Sequence, residues 1–265
     1  MTPQDVLQHY DAGTLWPAPL TANRPYPLEQ AYQDALALRR LRLARGEQAR
    51  GFKLGFTNRS IWERYDVHSP IWGTVYDSTL SRCDGEGHLS LQATCQPRIE
   101  PELVFGMRSR PAPGASLDAL FEAIDWVAPG FEIVQSHLPD WKFQAPDTVA
   151  DGGLHARLLV GATTPVRTLA RDAATLEALL AQARLRLSRD GTPVEEGRGA
   201  LVLDNPLRAL HHFLDALRST PGAPDLMAGD VVTTGTWTDA WPVAPGQTWH
   251  AEFLAPLQSL KVCLT

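Results

Sequence analysis

Two acidic residues stand two positions apart in the stretch Arg98-Ile99-Glu100-Pro101-Glu102-Leu103-Val104-Phe105. In an extended strand, successive side chains point to opposite faces, so Glu100 and Glu102 would project to the same side. Two carboxylates on one face repel each other unless a cation lies between them, and a hard cation such as Mg²⁺ or Mn²⁺ prefers oxygen ligands. The spacing therefore predicts part of a metal site. The alternative is a solvated strand face, because charged residues are mostly exposed.

A third acid, Glu132, interrupts the apolar stretch Phe131-Glu132-Ile133-Val134. A carboxylate that is buried there without a partner is costly, and ligation of the same metal ion would remove the cost. A salt bridge would remove it as well. Glu132 is thus a candidate third ligand, with a salt-bridge partner as the alternative.

The elements that must position these acids begin with a helical region. Thr2 can cap a helix that has proline at its first position, and Gly13 can end it. After a proline-rich connector, a second helix is predicted from Leu28 to about Arg45, with its apolar residues on one face. The sequence therefore predicts two helices in the first fifth of the chain.

From about Gly51 onward the sequence consists of short segments rich in glycine, proline and β-branched residues, and this pattern indicates strands. Two helices are predicted to interrupt this region, one over Leu117 to Val127 and one that starts at Asn205. We predict an α+β chain with a helical N-terminal region at residues 1–70 and a β-rich domain at residues 71–265. Neither an internal repeat nor a low-complexity tract is present.

Charge and cysteine usage narrow the class of protein. A formal net charge of −6 argues against a nucleic-acid binder, which would need a basic patch. Three widely spaced cysteines form neither a metal-binding pair nor a disulfide framework. The N-terminus lacks the pattern of a signal peptide, and no apolar run reaches the roughly 18 residues that span a bilayer. We therefore expect a cytoplasmic protein that binds neither nucleic acid nor membrane.

Several blocks of sequence occur in a characteristic order from about residue 51 to the C-terminus. Together they resemble the branch of the fumarylacetoacetate hydrolase superfamily that holds 2-keto-4-pentenoate hydratases and 4-oxalocrotonate decarboxylases. The blocks are Gly51-Phe52-Lys53-Leu54-Gly55-Phe56-Thr57, Gly73-Thr74-Val75-Tyr76-Asp77, Glu100-Pro101-Glu102, Phe131-Glu132-Ile133-Val134-Gln135-Ser136, Asp140-Trp141-Lys142, Asp147-Thr148-Val149-Ala150-Asp151, Gly229-Asp230-Val231-Val232-Thr233-Thr234-Gly235-Thr236 and Pro245-Gly246-Gln247-Thr248.

The resemblance implies a fold and a cofactor. The fold would be α+β, with a β-rich core of the fumarylacetoacetase C-terminal type, which is a mixed β-sheet roll, and a helical N-terminal region. The cofactor would be a divalent metal, Mg²⁺ or Mn²⁺, held by Glu100, Glu102 and Glu132. The resemblance also implies a homo-oligomer built on dimers.

It further implies catalytic roles for Lys53 and Asp77, and substrate contacts from Leu54, Lys142 and Thr236. Lys53 could hold a substrate carboxylate or a developing oxyanion, and Asp77 could carry a proton or orient water. The structural alternatives are a solvated lysine, a turn residue before Ser78 and, for Lys142, a surface ion pair.

One departure from the family falls where substrate is expected. After Asp151 the relatives carry asparagine and small residues that include a serine, whereas this chain has Gly152-Gly153-Leu154-His155. We predict that His155 reaches the cavity and replaces the missing hydroxyl as a hydrogen-bonding or proton-transfer group. The alternative is a structural histidine.

These residues indicate an enzyme that acts on a small 2-keto acid. The leading hypothesis is a hydratase that adds water to a 2-hydroxy-2,4-dienoate, giving a 4-hydroxy-2-keto acid, in aromatic-compound catabolism. The alternatives are a decarboxylase of a 4-oxalocrotonate-like 2-keto diacid, a C–C hydrolase of an acylpyruvate, and an inactive partner subunit. The first three share the metal site, so Glu100, Glu102 and Glu132 do not separate them.

Overall fold

A computed structural model describes residues 1–22, 25–65, 67–255 and 257–265. Its helices are α1 (Pro3–Ala12), α2 (Leu28–Ala44), α3 (Trp62–Tyr65), α4 (Leu117–Ala123), α5 (Ala145–Ala150), α6 (Val166–Leu169), α7 (Ala173–Gln182) and α8 (Pro206–Ser219). Its strands are β1 (Ala49–Gly55), β2 (Ile71–Tyr76), β3 (Leu80–Arg82), β4 (Glu86–Leu89), β5 (Arg98–Met107), β6 (Ile124–Val134), β7 (His155–Val160), β8 (Thr164–Pro165), β9 (Arg184–Arg189), β10 (Thr192–Arg198), β11 (Val231–Thr233), β12 (Trp241–Pro242), β13 (Thr248–Phe253) and β14 (Leu260–Leu264).

The two predicted N-terminal helices are present. In α1, the Thr2 side chain accepts from the backbone N–H of Asp5 while the Asp5 carboxylate accepts from that of Thr2, so two otherwise unpaired donors are satisfied. Gly13 ends the helix with a φ of 61°. Helix α2 packs against both α1 and α5. Among the described residues, no helix is long and apolar enough to cross a membrane.

Two mixed β-sheets form the body of the protein. The larger sheet has the order β2-β1-β11-β5-β6-β7-β3, with β12 added to β5 and β8 added to β6. The smaller sheet has the order β10-β9-β13-β14-β4. Pairs such as β1 with β11 and β14 with β4 are parallel, whereas most others are antiparallel. This confirms the predicted α+β fold with a β-rich core.

Strand β1 lies before residue 71, yet it pairs with β2 on one side and with β11 on the other. A cut at residue 70 would therefore divide the larger sheet. The division of the chain into residues 1–70 and 71–265 stays a prediction.

Of the two helices predicted within the β-rich region, one is confirmed and the other is shorter than predicted. Helix α8 is capped by the Asn205 side chain, as expected, and buries one face that includes Leu210, Phe213 and Leu217. Helix α4 ends at Ala123, so its predicted extension to Val127 is wrong. The residues that follow it join β6, where they pair with β5 and β8, because tertiary strand pairing overrides local helical preference.

Strand β5 occupies the centre of the larger sheet, whereas a proline at position 101 is typical of a strand edge. The hydrogen bonding around Pro101 explains why a proline is tolerated in this central strand. The carbonyl of Pro101 accepts from the N–H of Trp237, so the Pro101 nitrogen also faces that side, away from β6. Along this side β12 pairs only with Arg98 and Ile99, and β11 only from Val104 onwards. The missing donor therefore falls in a gap between two neighbours.

Candidate metal centre

The larger sheet brings the three predicted acids together. Glu100 and Glu102 lie on one face of β5, and the antiparallel register places Glu132 of β6 directly opposite Glu100. Each carboxylate offers one oxygen, and these oxygens all lie within 4.8 Å of one another. Glu102 and Glu132 are fully buried. The arrangement concentrates negative charge in the protein interior.

The hydrogen bonds of the carboxylate oxygens indicate whether this cluster could bind a cation. Glu102 Oε2 accepts from the Gly235 N–H at 2.6 Å and from the Thr233 hydroxyl, but among the described residues Glu102 Oε1 has no hydrogen-bond partner. Glu132 Oε2 accepts no hydrogen bond within this part of the chain, but Lys53 Nζ lies 3.3 Å from it as an ion pair. Buried carboxylate oxygens without partners are costly unless a cation binds them. The donor set, all of it carboxylate oxygen, fits a hard divalent cation.

The raised pKa values of two of these acids also indicate a cation site. Burial raises the pKa of Glu100 to about 7, although the charge of Lys53 opposes the effect. Burial, together with the negative charges of Glu132 and Glu100, raises the pKa of Glu102 well above its ordinary value. Without a cation, the cluster therefore resists full ionisation near neutral pH. A bound divalent ion would reverse that preference.

Lys53 extends from β1 into this cluster and is almost fully buried. Its Nζ lies 3.3 Å from Glu132 Oε2 and donates a hydrogen bond to the Gly153 carbonyl at 2.9 Å. Burial alone would lower the pKa of Lys53, but the charges of Glu132, Glu100 and Glu102 outweigh it and raise that pKa. Lys53 is therefore a fixed positive charge beside the acids.

Close backbone packing positions the carbonyl that Lys53 contacts. A Cβ on Gly73 of β2 would lie 2.1 Å from the Gly152 carbonyl oxygen, and Gly153 has a φ of 73°. Only glycine permits both the close approach and the left-handed conformation. Gly73 thus allows the turn after α5 to pack directly against β2, and Gly153 supplies the left-handed conformation of that turn.

His155 is not among the residues that line the cavity beside Lys53 and Glu100, and its ring faces protein groups, so its predicted contact with substrate stays a prediction. Its Nδ1 lies 2.7 Å from Glu132 Oε1, and its Nε2 lies 2.9 Å from the Thr79 hydroxyl. Both ring nitrogens are thus engaged, and burial lowers the pKa of the imidazole, although its hydrogen bond to Glu132 opposes the effect. His155 orients a carboxylate of the cluster and does not present a free group to a ligand.

Asp77 lies away from the carboxylate cluster, and this position favours the turn residue that stood as the alternative to a catalytic role. It is exposed in the turn after β2, where its Oδ1 accepts from the N–H groups of Gln48 and Ser78. Gln48 is five residues from Lys53 along the chain, which corresponds to roughly 16 Å in an extended strand. Asp77 therefore stabilises a turn at the far end of the β1–β2 ladder.

Lys142 is exposed as well, and its Nζ lies 3.4 Å from Asp140 Oδ2. This is the surface ion pair that stood as the alternative to a substrate contact. Such exposed pairs contribute little to stability, typically about 0–1 kcal/mol.

A cavity of about 290 Å³ opens beside Lys53 and Glu100. Leu54 and Thr236, the two other predicted substrate contacts, line it. The remaining lining residues are Gly55, Phe56, Thr57, Asn58, Ile61, Ile71, Arg98, Val134, Trp141, Phe143, Gly153, Leu154, Gly235, Thr238, Asp239 and Ala240. A cavity of this size suits a small organic ligand.

Two residues of the site were missed from the sequence: Arg98, which lines the cavity, and Thr233, which contacts Glu102. Arg98 lies two residues before Glu100, so the alternation that paired the acids would also have placed Arg98 on their face. Thr233 lies on β11, and its bond to Glu102 depends on the pairing of β11 with β5, for which local sequence holds no signal.

Comparisons with known proteins identify relatives of this chain. Residues 77–263 match the family model described as fumarylacetoacetate (FAA) hydrolase, C-terminal. The 2-hydroxyhexa-2,4-dienoate hydratase of Comamonas testosteroni is 34% identical over 231 residues, which cover 86% of this chain and 84% of the relative. The 2-keto-4-pentenoate hydratase of Paraburkholderia xenovorans is 29% identical, and the match covers 94% of this chain and 91% of that protein.

One solved structure is similar along nearly the whole chain. It is the 4-oxalocrotonate decarboxylase from Pseudomonas putida G7, complexed with magnesium and adipate. The two structures superpose with a TM-score of 0.88 at 25% identity, covering 99% of this chain and 95% of that one.

Proposed function

The chain belongs to the fumarylacetoacetate hydrolase family, and on that premise we propose that it is a lyase that adds water to a 2-hydroxy-2,4-dienoate. The names of the hydratase relatives support this reaction, and the proposal includes a role in the breakdown of aromatic compounds. The observation that carries the proposal is the cluster of three carboxylates beside the buried Lys53 and an open cavity, in which Glu102 Oε1 is buried without a hydrogen-bond partner among the described residues.

Glu100, Glu102 and Glu132 would hold a divalent cation, Mg²⁺ or Mn²⁺. When bound, the cation supplies Lewis acidity toward the oxygens of a 2-keto acid. The magnesium in the similar decarboxylase structure supports this choice of cofactor. His155 fixes the rotamer of Glu132 through Nδ1, because Thr79 holds the other side of the ring.

Lys53 contributes a positive charge at the cavity wall. Three carboxylates keep it protonated, and its Nζ is anchored by the Gly153 carbonyl, so it presents hydrogen-bond donors with little freedom to move. Donors that are fixed before reaction stabilise negative charge that develops on a substrate oxygen. Apolar side chains such as Leu54 and Ile71 line the same cavity and would pack against the conjugated chain of the substrate.

The proposed reaction balances as one water added per substrate. The 2-hydroxyl proton of the dienol is lost and C5 gains a proton, which gives a 2-keto-3-ene. Water then adds across that double bond, with its hydroxyl on C4 and its hydrogen on C3. The product is a 4-hydroxy-2-keto acid.

The test is the loss of dienoate ultraviolet absorbance with 2-hydroxypenta-2,4-dienoate and 2-hydroxyhexa-2,4-dienoate in the presence of Mg²⁺, with the product identified by mass spectrometry. Glu102→Gln should abolish the reaction, whereas Glu196→Gln, which alters an exposed acid paired with Arg186, should not. Unchanged absorbance with the metal-loaded wild type would contradict the proposal.

A decarboxylase is the second candidate, because the decarboxylase structure resembles the chain over nearly its full length. Release of CO₂ from 4-oxalocrotonate without hydration of the dienoates would assign that reaction instead. Pyruvate release from an acylpyruvate would assign C–C hydrolysis, and inactivity with all substrates would favour a partner subunit.

We also propose a cytoplasmic homo-oligomer built on dimers. The unpaired state of Cys83, Cys95 and Cys263 supports a reducing compartment. Light scattering of the purified protein would test the oligomeric state.

A further inference from the structure

The backbone that anchors Lys53 is strained. Gly152, Gly153 and Leu154 have φ angles of 65°, 73° and 65°, so they form a left-handed turn of three residues. Leu154 carries a Cβ and adopts this conformation at an energetic cost, and such strain persists only where the surrounding structure imposes it. The Gly153 carbonyl, which accepts from Lys53 Nζ at 2.9 Å, therefore depends on whatever holds the left-handed turn.

A buried pair of side chains lies immediately before the left-handed turn. Asp151 Oδ2 accepts from the His137 backbone N–H at 3.1 Å, and Asp151 Oδ1 lies 2.6 Å from His137 Nδ1. Because a carboxylate only accepts, Nδ1 is the donor of the second bond. Both residues are almost fully buried. The Asp151 carbonyl accepts from the Leu154 N–H at 3.0 Å, so Asp151 connects His137 to the turn.

Packing holds the ring of His137. It stacks on Trp16, with 6.1 Å between the ring centroids and 11° between the planes, and its centroid lies 5.9 Å from that of the Tyr10 ring. Its Nε2 has no hydrogen-bond partner in the part of the chain that the structure describes. Neither His137 nor Asp151 is among the residues that line the cavity of about 290 Å³. The pair can therefore influence a ligand there only through the left-handed turn.

We propose that His137 is a positioning residue for Lys53. It fixes Asp151 through two hydrogen bonds, and Asp151 closes the left-handed turn. The Gly153 carbonyl of that turn then fixes Lys53 Nζ at the cavity wall. The inference rests on the proposed function, which assigns the charge of Lys53 to a substrate oxygen. A displacement of about 1 Å at such a group can lower the rate by roughly 100-fold.

Two substitutions separate the donor of His137 from its packing. His137→Phe keeps a ring that can stack on Trp16 but removes the Nδ1 donor, whereas His137→Asn removes the ring but supplies an amide N–H close to the position of Nδ1. With 2-hydroxypenta-2,4-dienoate and saturating Mg²⁺, His137→Phe should lower kcat by roughly 10- to 100-fold with little change in KM. His137→Asn should retain most of the wild-type kcat. A role in packing alone predicts the opposite order and would overturn the inference.

Three further variants test the route. Asp151→Ala breaks the same pair without leaving a buried carboxylate unpaired, so it should lower kcat in the same way and replaces His137→Phe if that variant does not fold. In a Lys53→Met background, His137→Phe should lower kcat no further, because the group that it positions is absent. Thr21→Val is the matched control. It removes a hydrogen bond of 2.8 Å to Asp147 at the other end of α5 and should leave kcat unchanged.

Lysine labelling gives a second measurement that needs no turnover. The lysines of the chain are Lys53, Lys142 and Lys261, and the exposed Lys142 serves as the internal reference. Reductive methylation, followed by peptide mass spectrometry, reports how freely each amino group moves. His137→Phe should raise the labelling rate of Lys53 relative to Lys142 roughly tenfold, because a hydrogen bond no longer restrains Nζ. His137→Asn and Thr21→Val should keep the wild-type ratio.

The outcomes separate this inference from the proposed function. A wild-type kcat and labelling ratio in both His137→Phe and Asp151→Ala, together with dienoate hydration by the wild type, would overturn the inference alone. An additive loss of kcat in the double variant with Lys53→Met would also overturn it. If the metal-loaded wild type hydrates no dienoate, the proposed function fails, and the labelling ratios still decide whether His137 positions Lys53.

Discussion

The carboxylate cluster makes the stability of the metal-free protein depend on pH in a defined direction. The pKa of Glu100 is raised from 4.5 to about 7 in the folded chain, chiefly by burial. The folded state thus binds this proton more tightly than the unfolded state. The stabilisation that comes from binding this proton is fully present below about pH 4.5 and is lost as the pH rises through 7. The loss in the free energy of unfolding is on the order of 3 kcal/mol.

A bound divalent cation should oppose this loss, since it stabilises the ionised carboxylates. Metal binding releases the proton at acidic pH and needs no proton release at alkaline pH, so metal affinity rises with pH. The stabilisation by Mg²⁺ should therefore grow as the pH increases from about 5.5 to 8.5.

The assay is the melting temperature, measured with EDTA and with saturating Mg²⁺ across that range. Between pH 5.5 and 8.5 the loss amounts to about 2 kcal/mol, because the part between pH 4.5 and 5.5 lies outside this range. A change of 1 kcal/mol moves the Tm by roughly 2–4 °C in chains of this size, so the gap between the two curves should widen by about 4–8 °C. Glu100→Gln should flatten the EDTA curve, whereas Glu196→Gln at an exposed ion pair should retain the wild-type slope.

His155 acts in the opposite direction, because its lowered pKa favours the unfolded state at acidic pH. Its contribution is common to wild type and Glu100→Gln, so the difference between their curves isolates Glu100. A gap that stays constant with pH, or the same slope in Glu100→Gln, would refute the reasoning.

Three other variants test individual residues. Lys53→Met should lower kcat/KM by about 10²–10³-fold, because a fixed positive charge beside the reacting oxygen is lost; wild-type steady-state kinetics would contradict this. His155→Ser should weaken Mg²⁺ binding by roughly 10–100-fold in calorimetry, with partial recovery in His155→Gln, since Glu132 loses its orienting partner. Asp77→Ala should lower the urea midpoint of unfolding slightly and leave kcat/KM unchanged, and a loss of activity at full stability would return Asp77 to the site.

Local sequence was sufficient for features that depend on nearby residues. The Thr2 cap, the Asn205 cap and the shared face of Glu100 and Glu102 all follow from spacings of a few positions, which backbone geometry converts directly into structure. The ordered blocks indicated the family, and the family indicated the fold. These predictions needed no knowledge of which strands pair.

Long-range pairing decided the rest. The register of β5 with β6 sets Glu132 opposite Glu100, and the register of β1 with β2 carries Asp77 to the end of the ladder that lies far from Lys53. His155 contacts Glu132 and Thr79, which are 23 and 76 residues away in the chain. The sequence determined which groups can do chemistry, whereas the tertiary structure decided which of them meet, because a partner so distant in the chain is selected by the packing of the whole sheet.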